Sequence, residues 1–171
     1  LKTPRTLSNA LFMAGTGITL PTDVGHVEFT TTNGPIEEIF INVAGFGLNG
    51  DVVQRANSMN KRYGGKITFL RASIKSALRY QPGPLRLTWE GENGPGEWEG
   101  TPTSVFVGNG AYCGGGMWVG KGGHMQDGLF DVTILPNSST ASQLIQARRL
   151  YDGSLDRWPG VQRFKVKRLE A

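Results

Sequence analysis

The chain has 171 residues, a formal net charge of +4 from 18 Lys and Arg against 14 Asp and Glu, 25 glycines and one cysteine. That length can bury a core without covalent staples. The lone Cys113 excludes an internal disulfide and suits a reducing compartment, and no stretch approaches the roughly 20 apolar residues of a spanning helix. Residues 1–20 hold no sustained apolar core and read as no signal peptide, so membrane contact is expected to be peripheral.

In chain order, residues 24–31 alternate apolar and polar positions, Asn33-Gly34-Pro35 is a turn signal, and residues 36–44 read as a second strand, which predicts a hairpin. Residues 51–63 read as a helix with Asp51 as its cap. Residues 66–80 carry the clearest helical period: Ile67, Leu70, Ile74 and Leu78 form the apolar stripe, and Lys66, Arg71, Lys75 and Arg79 fall mostly on other faces. Pro82 and Pro84 end it. Residues 85–90 then place Leu85, Leu87 and Trp89 on one strand face, residues 92–96 turn, and strand character resumes from Trp98 or Ser104 toward Val107. Residues 129–135 form a strand. Thr140-Ala141-Ser142-Gln143 resembles a capping box opening a helix through Tyr151, and residues 161–169 close the chain as a strand. Without repeats or a low-complexity linker, residues 1–171 read as a single domain. Its expected class is mainly β, a β-sandwich with inserted helices.

The densest signal is Gly108-Asn109-Gly110-Ala111-Tyr112-Cys113-Gly114-Gly115-Gly116-Met117, followed by Asp127-Gly128-Leu129-Phe130-Asp131-Val132. Closely spaced glycines are found where the backbone takes positive φ or where another group comes very near. The spacing of Gly108, Gly110 and Gly114 misses the dinucleotide fingerprint by a residue, and no Gly-Lys-Ser/Thr follows. On spacing alone, tight β-turns and a ligand-contacting loop both remain open. His26 has no second histidine near it, Cys113 has no ligand partner at metal spacing, and no Ser-His-Asp order can be assembled. Basic concentrations at Lys61-Arg62, Arg148-Arg149 and residues 163–168 suit solvated faces, an anionic lipid surface or nucleic acid.

Three segments, in order, carry a family likeness: Phe40-Ile41-Asn42-Val43-Ala44-Gly45-Phe46-Gly47, then Gly108-Asn109-Gly110 with Gly114-Gly115-Gly116-Met117, then Asp127-Gly128-Leu129-Phe130-Asp131-Val132. Between the first two, Lys61-Arg62-Tyr63-Gly64-Gly65-Lys66 and Leu78-Arg79-Tyr80 match a helix pair. Over nearly its full length the chain resembles the C-terminal domain of the diacylglycerol kinase and sphingosine kinase superfamily, in its bacterial lipid-kinase branch. The resemblance implies a β-sandwich beside a nucleotide-binding domain, in an enzyme that uses ATP to phosphorylate a hydroxyl of diacylglycerol or a related lipid. The family's Gly-Gly-Asp-Gly-Thr signature is absent. The chain stops at Leu169-Glu170-Ala171, before the late Asp-Gly-Glu turn that would supply the catalytic base, and Glu90-Gly91-Glu92 stands in the wrong place for it. The chain therefore reads as a fragment with no catalytic residue of its own, inactive alone. Its expected partners are the nucleotide-binding domain of the same protein and a lipid substrate, not nucleic acid, and its expected location is cytoplasmic, peripheral on the inner membrane face.

The resemblance also implies a magnesium site, held by the Asp127 side chain and by the backbone carbonyls of His124 and Leu129. An oxygen-rich set with one carboxylate suits such a hard cation. The alternative is Asp127 as a turn former bonding its own backbone. Sphingosine kinase relatives place an Asp against the lipid headgroup where this chain has Asn49. An amide can hydrogen-bond a hydroxyl but cannot attract an ammonium, so Asn49 favours a neutral, diacylglycerol-like substrate; otherwise Asn49 and Asp51 simply begin a helix. The helix pair 51–80, with Arg62, Lys66, Arg71, Lys75 and Arg79, is the expected membrane contact. Two readings from other classes are a non-catalytic β-sandwich module using Trp89, Trp98 and Trp118 as a ligand platform, and a basic nucleic-acid binder.

Overall fold

A computed structural model of the chain describes residues 6–58, 65–120 and 122–171. Its centre is an antiparallel six-stranded sheet of β3 (Val43–Gly47), β6 (Ser104–Gly108), β9 (Phe130–Leu135), β10 (Gln162–Glu170), β4 (Leu85–Gly91) and β5 (Gly94–Gly100), in that spatial order. Two small antiparallel pairs flank it, β1 (Gly25–Thr31) with β2 (Gly34–Phe40) and β7 (Tyr112–Cys113) with β8 (Met117–Trp118). The helices are α1 (Leu7–Thr16), α2 (Leu48–Ser58), α3 (Gly65–Ala77), α4 (Thr140–Gln146) and α5 (Arg149–Asp152). The chain is mainly β with inserted helices, as its sequence indicates.

Successive strand residues face opposite sides, and here both sides of the central strands are covered. Val105 and Val107 of β6 join Val132 and Ile134 of β9, Leu87 of β4 and Val166 of β10 in one core. Phe106 and Leu135, one step out of phase, join Val119, Leu155 and Trp158 in a second core. This explains why β6 reads as an apolar run from Val105 to Val107, while β9 alternates and buries the polar Asp131 and Thr133 as well. β10 is long enough to serve two neighbours: residues 162–166 pair with β9, and from Val166 onward it pairs with β4, with an irregularity between Val166 and Arg168.

The structure corrects several expected boundaries. The predicted strand 36–44 is two strands in different sheets, broken at Ile41 and Asn42. Gly47 (φ +91) then lets β3 pass directly into α2, and a Cβ there would lie 2.7 Å from the Thr103 carbonyl oxygen. The helix predicted at 51–63 starts earlier, at Leu48, and Asp51 is no cap: its carboxylate pairs with Arg55 one turn on, at 3.3 Å. Residues 59–63 of that expectation lie outside the described residues. Of the stripe expected on α3, the side chains of Ile67 and Leu70 lie outside the described residues. Ile74 and Leu78 are exposed, whereas Ala72 and Ser76 are fully buried, since small side chains admit close approach and Arg55 of α2 reaches the Ser76 hydroxyl. The predicted turn at 92–96 is shorter, because β5 already begins at Gly94. The capping box is shifted by one residue: the Ser139 hydroxyl accepts the Ser142 N–H, and Gln143 instead donates to the Ser138 carbonyl. α1, which the sequence reading did not anticipate, buries none of its residues and exposes Leu7, Leu11, Phe12 and Met13.

Candidate functional site

The glycine loop and the acidic turn meet at a short strap, residues 21–24, that runs up to β1. The glycines of the loop divide into two kinds. Gly114, Gly115 and Gly116 all have positive φ and form the turn between β7 and β8, with open space around Gly115 and Gly116. Gly108 and Gly110 instead lack room for a side chain: a Cβ on Gly108 would lie 2.8 Å from the Gly110 carbonyl oxygen, and one on Gly110 would strike the Asn42 amide oxygen. The loop's own fold therefore accounts for these glycines, including the close approach, which comes from within the chain.

Two asparagines hold the junction. Asn109, 1% exposed, donates its amide hydrogens to the carbonyls of Asp23 at 2.6 Å and Ile41 at 2.8 Å. In return the Asn42 carbonyl accepts the N–H groups of Asn109 and Gly110, and the Asn42 side chain donates to the Tyr112 carbonyl at 2.9 Å. This exchange breaks the strand at Ile41 and Asn42. The strap also reaches the acidic turn: the Asp23 carboxylate accepts the Gly128 N–H at 2.8 Å, its N–H donates to the Met125 carbonyl, and Gln126 donates to the Pro21 carbonyl. Sequence reasoning quoted Asn42 and Asn109 within motifs but gave them no role, and it missed Asp23; the side-chain bonds of these residues span 68 to 105 residues of the chain.

Asp127 takes the turn-forming role expected as the alternative for it and adds an ion pair that was not expected. One carboxylate oxygen accepts the Leu129 N–H at 3.1 Å, as a turn former does, and the other holds the Lys165 ammonium at 2.6 Å. Both side chains are about 70% buried, their exposures being 27% and 30%. The hydrogen bond to Asp127 raises the Lys165 pKa, burial opposes it, and the charges of Asp127, Asp131 and Glu92 add to the rise. Lys165 comes from β10, opposite Asp131 in the register with β9, and Asp131 is itself buried. The donors proposed for magnesium fit a hard cation chemically, being a carboxylate and backbone carbonyls. The carboxylate that would lead them already faces positive charge, so a divalent ion there shares Asp127 with Lys165 or displaces it.

Asn49 sits in the first turn of α2, half-buried. Its Nδ2 donates to the Val105 carbonyl at 3.1 Å and its Oδ1 accepts the Gly50 N–H at 2.9 Å, which leaves one amide hydrogen and one lone pair for a ligand. Asp51 is held below the usual carboxylate range first by the Ser76 hydroxyl and then by Arg55, against the effect of burial. His26 lies on the exposed face of the hairpin, with its two ring nitrogens 3.5 and 3.6 Å from Glu28 and Glu37. Cys113 packs against the second core, and burial pushes its thiol up to about 11. The tryptophan platform is not formed: Trp89 stacks on Phe164 at 4.2 Å, Trp98 packs against the first core, and Trp118, on another sheet, stacks on Tyr112.

Residues 42–171 match the YegS C-terminal NAD kinase beta sandwich-like domain, so the match opens at Asn42, where the main sheet begins. The chain belongs to this family. Two relatives carry the name "Probable lipid kinase YegS-like". The one from Pseudomonas putida is 29% identical over 101 residues, covering 58% of this chain and 32% of that protein. The one from Stenotrophomonas maltophilia is 29% identical over 112 residues, covering 62% and 35%. Among solved structures, one from Bacillus anthracis described as "a putative diacylglycerol kinase" aligns with a TM-score of 0.56 at 19% identity, over 98% of this chain and 50% of that one. A second from the same organism, described in the same words, gives 0.53 at 22% identity, over 98% and 48%. At these identities the structural likeness shows the fold. The chain spans about a third of the length of the curated relatives and about half of the solved structures.

Proposed function

We propose that this chain is the lipid-side domain of an ATP-dependent lipid kinase that phosphorylates a hydroxyl of diacylglycerol or a closely related neutral lipid. The family match over residues 42–171, to a domain whose 29%-identical relatives are named lipid kinases, carries this reading. Phosphoryl transfer rests on holding phosphates, metal and acceptor hydroxyl together. This domain's share of that task is to receive the acceptor lipid, with a nucleotide-binding domain of the same protein as its partner. Residues 1–171 act as one unit in this reading, because the strap at 21–24 is bonded into both the glycine loop and the acidic turn. α1 and its exposed Leu7, Leu11, Phe12 and Met13 offer that partner an apolar surface.

Asn49 takes the headgroup through the amide hydrogen and lone pair that the fold leaves free, which suits a hydroxyl better than an ammonium. Magnesium, where bound, supplies positive charge that fixes the acidic turn; Asp127 would hold it by its carboxylate, and His124 and Leu129 by their backbone carbonyls. No described helix is long and apolar enough to cross a membrane. In this reading substrate is drawn from a bilayer by a peripheral, cytoplasmic protein, for which Arg71, Lys75 and Arg79 of the α3 region, all exposed, provide one basic contact.

The test is a lipid phosphorylation assay with ATP on the longer protein that contains this chain and a nucleotide-binding domain. Diacylglycerol should yield phosphatidic acid, sphingosine should react less, and residues 1–171 alone should yield nothing. No phosphorylated product from diacylglycerol, sphingosine or monoacylglycerol would refute the reading, and so would turnover by residues 1–171 alone.

A further inference from the structure

We propose that the segment from α4 through the turn after α5 is a docking surface for an anionic lipid bilayer. Arg148, Arg149, Asp152, Gly153, Ser154 and Arg157 line an open depression of about 520 Å³. It holds three guanidinium groups and one carboxylate, and that carboxylate is engaged locally: Asp152 accepts the Ser154 N–H at 2.8 Å and the Ser154 hydroxyl at 2.5 Å. These two bonds, the hydroxyl's first, hold Asp152 below the usual carboxylate range, with Arg148 and Arg149 adding to the effect.

The walls of the depression are fixed. Gly153 takes φ +75 against the Trp118 ring, and Arg149 donates to the Gln146 amide oxygen and, at 3.4 and 3.5 Å, to Ser154. Arg148 and Arg157 are exposed, the Arg157 backbone N–H donating to the Ser154 carbonyl while neither guanidinium has a hydrogen-bond partner among the described residues. Guanidinium forks that line one depression without protein partners, beside an anchored third, suit phosphate oxygens.

The same segment exposes apolar side chains beside these arginines: Leu144 at 53%, Ile145 at 66% and Tyr151 at 54%. Arginines that face headgroup phosphates beside aliphatic and tyrosine side chains that enter the interfacial layer are the composition of a membrane-surface element. Thr140, at the start of α4, donates to the Ala77 carbonyl at the end of α3, at 3.5 Å. This places the new surface next to exposed Leu78 and Arg79. The inference rests on the lipid-kinase reading for its occupant, a bilayer from which substrate is drawn.

The experiment is vesicle partition of the 171-residue chain without ATP, using phosphatidylglycerol–phosphatidylcholine vesicles against pure phosphatidylcholine, at low and high salt. Each arginine lost should weaken anionic binding about five-fold, equivalent to about 1 kcal/mol. Arg148→Gln with Arg157→Gln should therefore weaken it about 25-fold, while lysine at both positions keeps most of it. Leu144→Ser with Ile145→Ser should remove the part of the binding that survives high salt. Wild-type binding equal on both vesicle types would overturn the proposal, as would a double Gln variant that binds like wild type at an unchanged melting temperature. Inorganic phosphate that competes at equal occupancy with vesicles would reassign the depression to a free anion and equally overturn it. The same variants, tested in the longer protein, should lose partition there too; no loss would overturn the proposal. Because ATP is absent throughout, failure here is distinguishable from failure of the kinase reading, which is measured by product formation.

Discussion

Replacing Asn109 tests the junction on which the candidate site is built. Asn109→Ala removes two donated hydrogen bonds, to the carbonyls of Asp23 and Ile41, from a side chain that is 1% exposed. Each bond contributes about 1 kcal/mol net, and carbonyls left without a partner in a buried place add to the loss, as does the space vacated. The expected destabilisation is about 2–4 kcal/mol, or roughly 5–15 °C in melting temperature for a chain of this size. Asn109→Asp keeps the shape but turns the donor into a carboxylate facing two carbonyl oxygens. It should be worse at neutral pH and recover on acidification, since the buried acid has a raised pKa and folding is favoured once it is protonated. Asn42→Ala is the control: its side chain makes one exposed hydrogen bond, to the Tyr112 carbonyl, so about 1 kcal/mol or less is at stake. Urea and thermal unfolding followed by circular dichroism give the energies. Hydrogen exchange at the Asp23 N–H, which bonds the Met125 carbonyl, reports the strap directly. An Asn109→Ala chain within about 0.5 kcal/mol of wild type, or an Asn42→Ala chain that loses as much, would refute this account of the junction.

Lys165→Met should cost about 1–2 kcal/mol at neutral pH by leaving Asp127 without its cation. Because the folded-state pKa of Lys165 is raised, its stabilisation is full below the unfolded value of about 10.4 and is lost as pH rises through the folded value, so the two melting curves should converge only in strong alkali. Gly153→Ala should destabilise by about 1–3 kcal/mol, since φ is +75 and the new Cβ would lie 2.7 Å from the Trp118 ring; a neutral effect in urea titration would mean that this turn is not fixed. Magnesium should raise the melting temperature by mass action, the increment should vanish in Asp127→Ala, and it should grow in Lys165→Met, where the competing ammonium is gone. An identical magnesium response in all three chains would leave Asp127 with the turn and the lysine alone.

The parts of the fold that were legible in the sequence are those whose cause is local. β6 announces itself as an apolar run because both its faces are covered, and the β1–β2 hairpin through Asn33-Gly34 between two strand-like segments, whereas the start of β5 at Gly94 was hidden in residues that read as a turn. The break between β2 and β3 was not legible, because Ile39, Phe40, Ile41 and Val43 run through it without a glycine or proline; Asn109 makes it from 68 residues away. Ile74 and Leu78 misled for a related reason: periodicity marks large apolar residues, whereas the described part of this helix is buried through the small Ala72 and Ser76.

The site shows the same division. Asp127 was found because Asp-Gly-Leu is a local pattern, and its turn bond to Leu129 is local as well. Lys165, 38 residues on, has no signal near it, since the register of β10 against β9 alone brings an ordinary strand lysine to that carboxylate. Asp23 is the more instructive miss. It precedes the residues that match the family, yet its carbonyl secures Asn109 of the glycine loop and its carboxylate secures Gly128 of the acidic turn. One half-buried residue thus joins two motifs more than eighty residues away. A ligand that displaced either loop would have to break a bond to the same strap, so the positions of the two loops are coupled through Asp23, although no hydrogen bond between their side chains links them directly among the described residues.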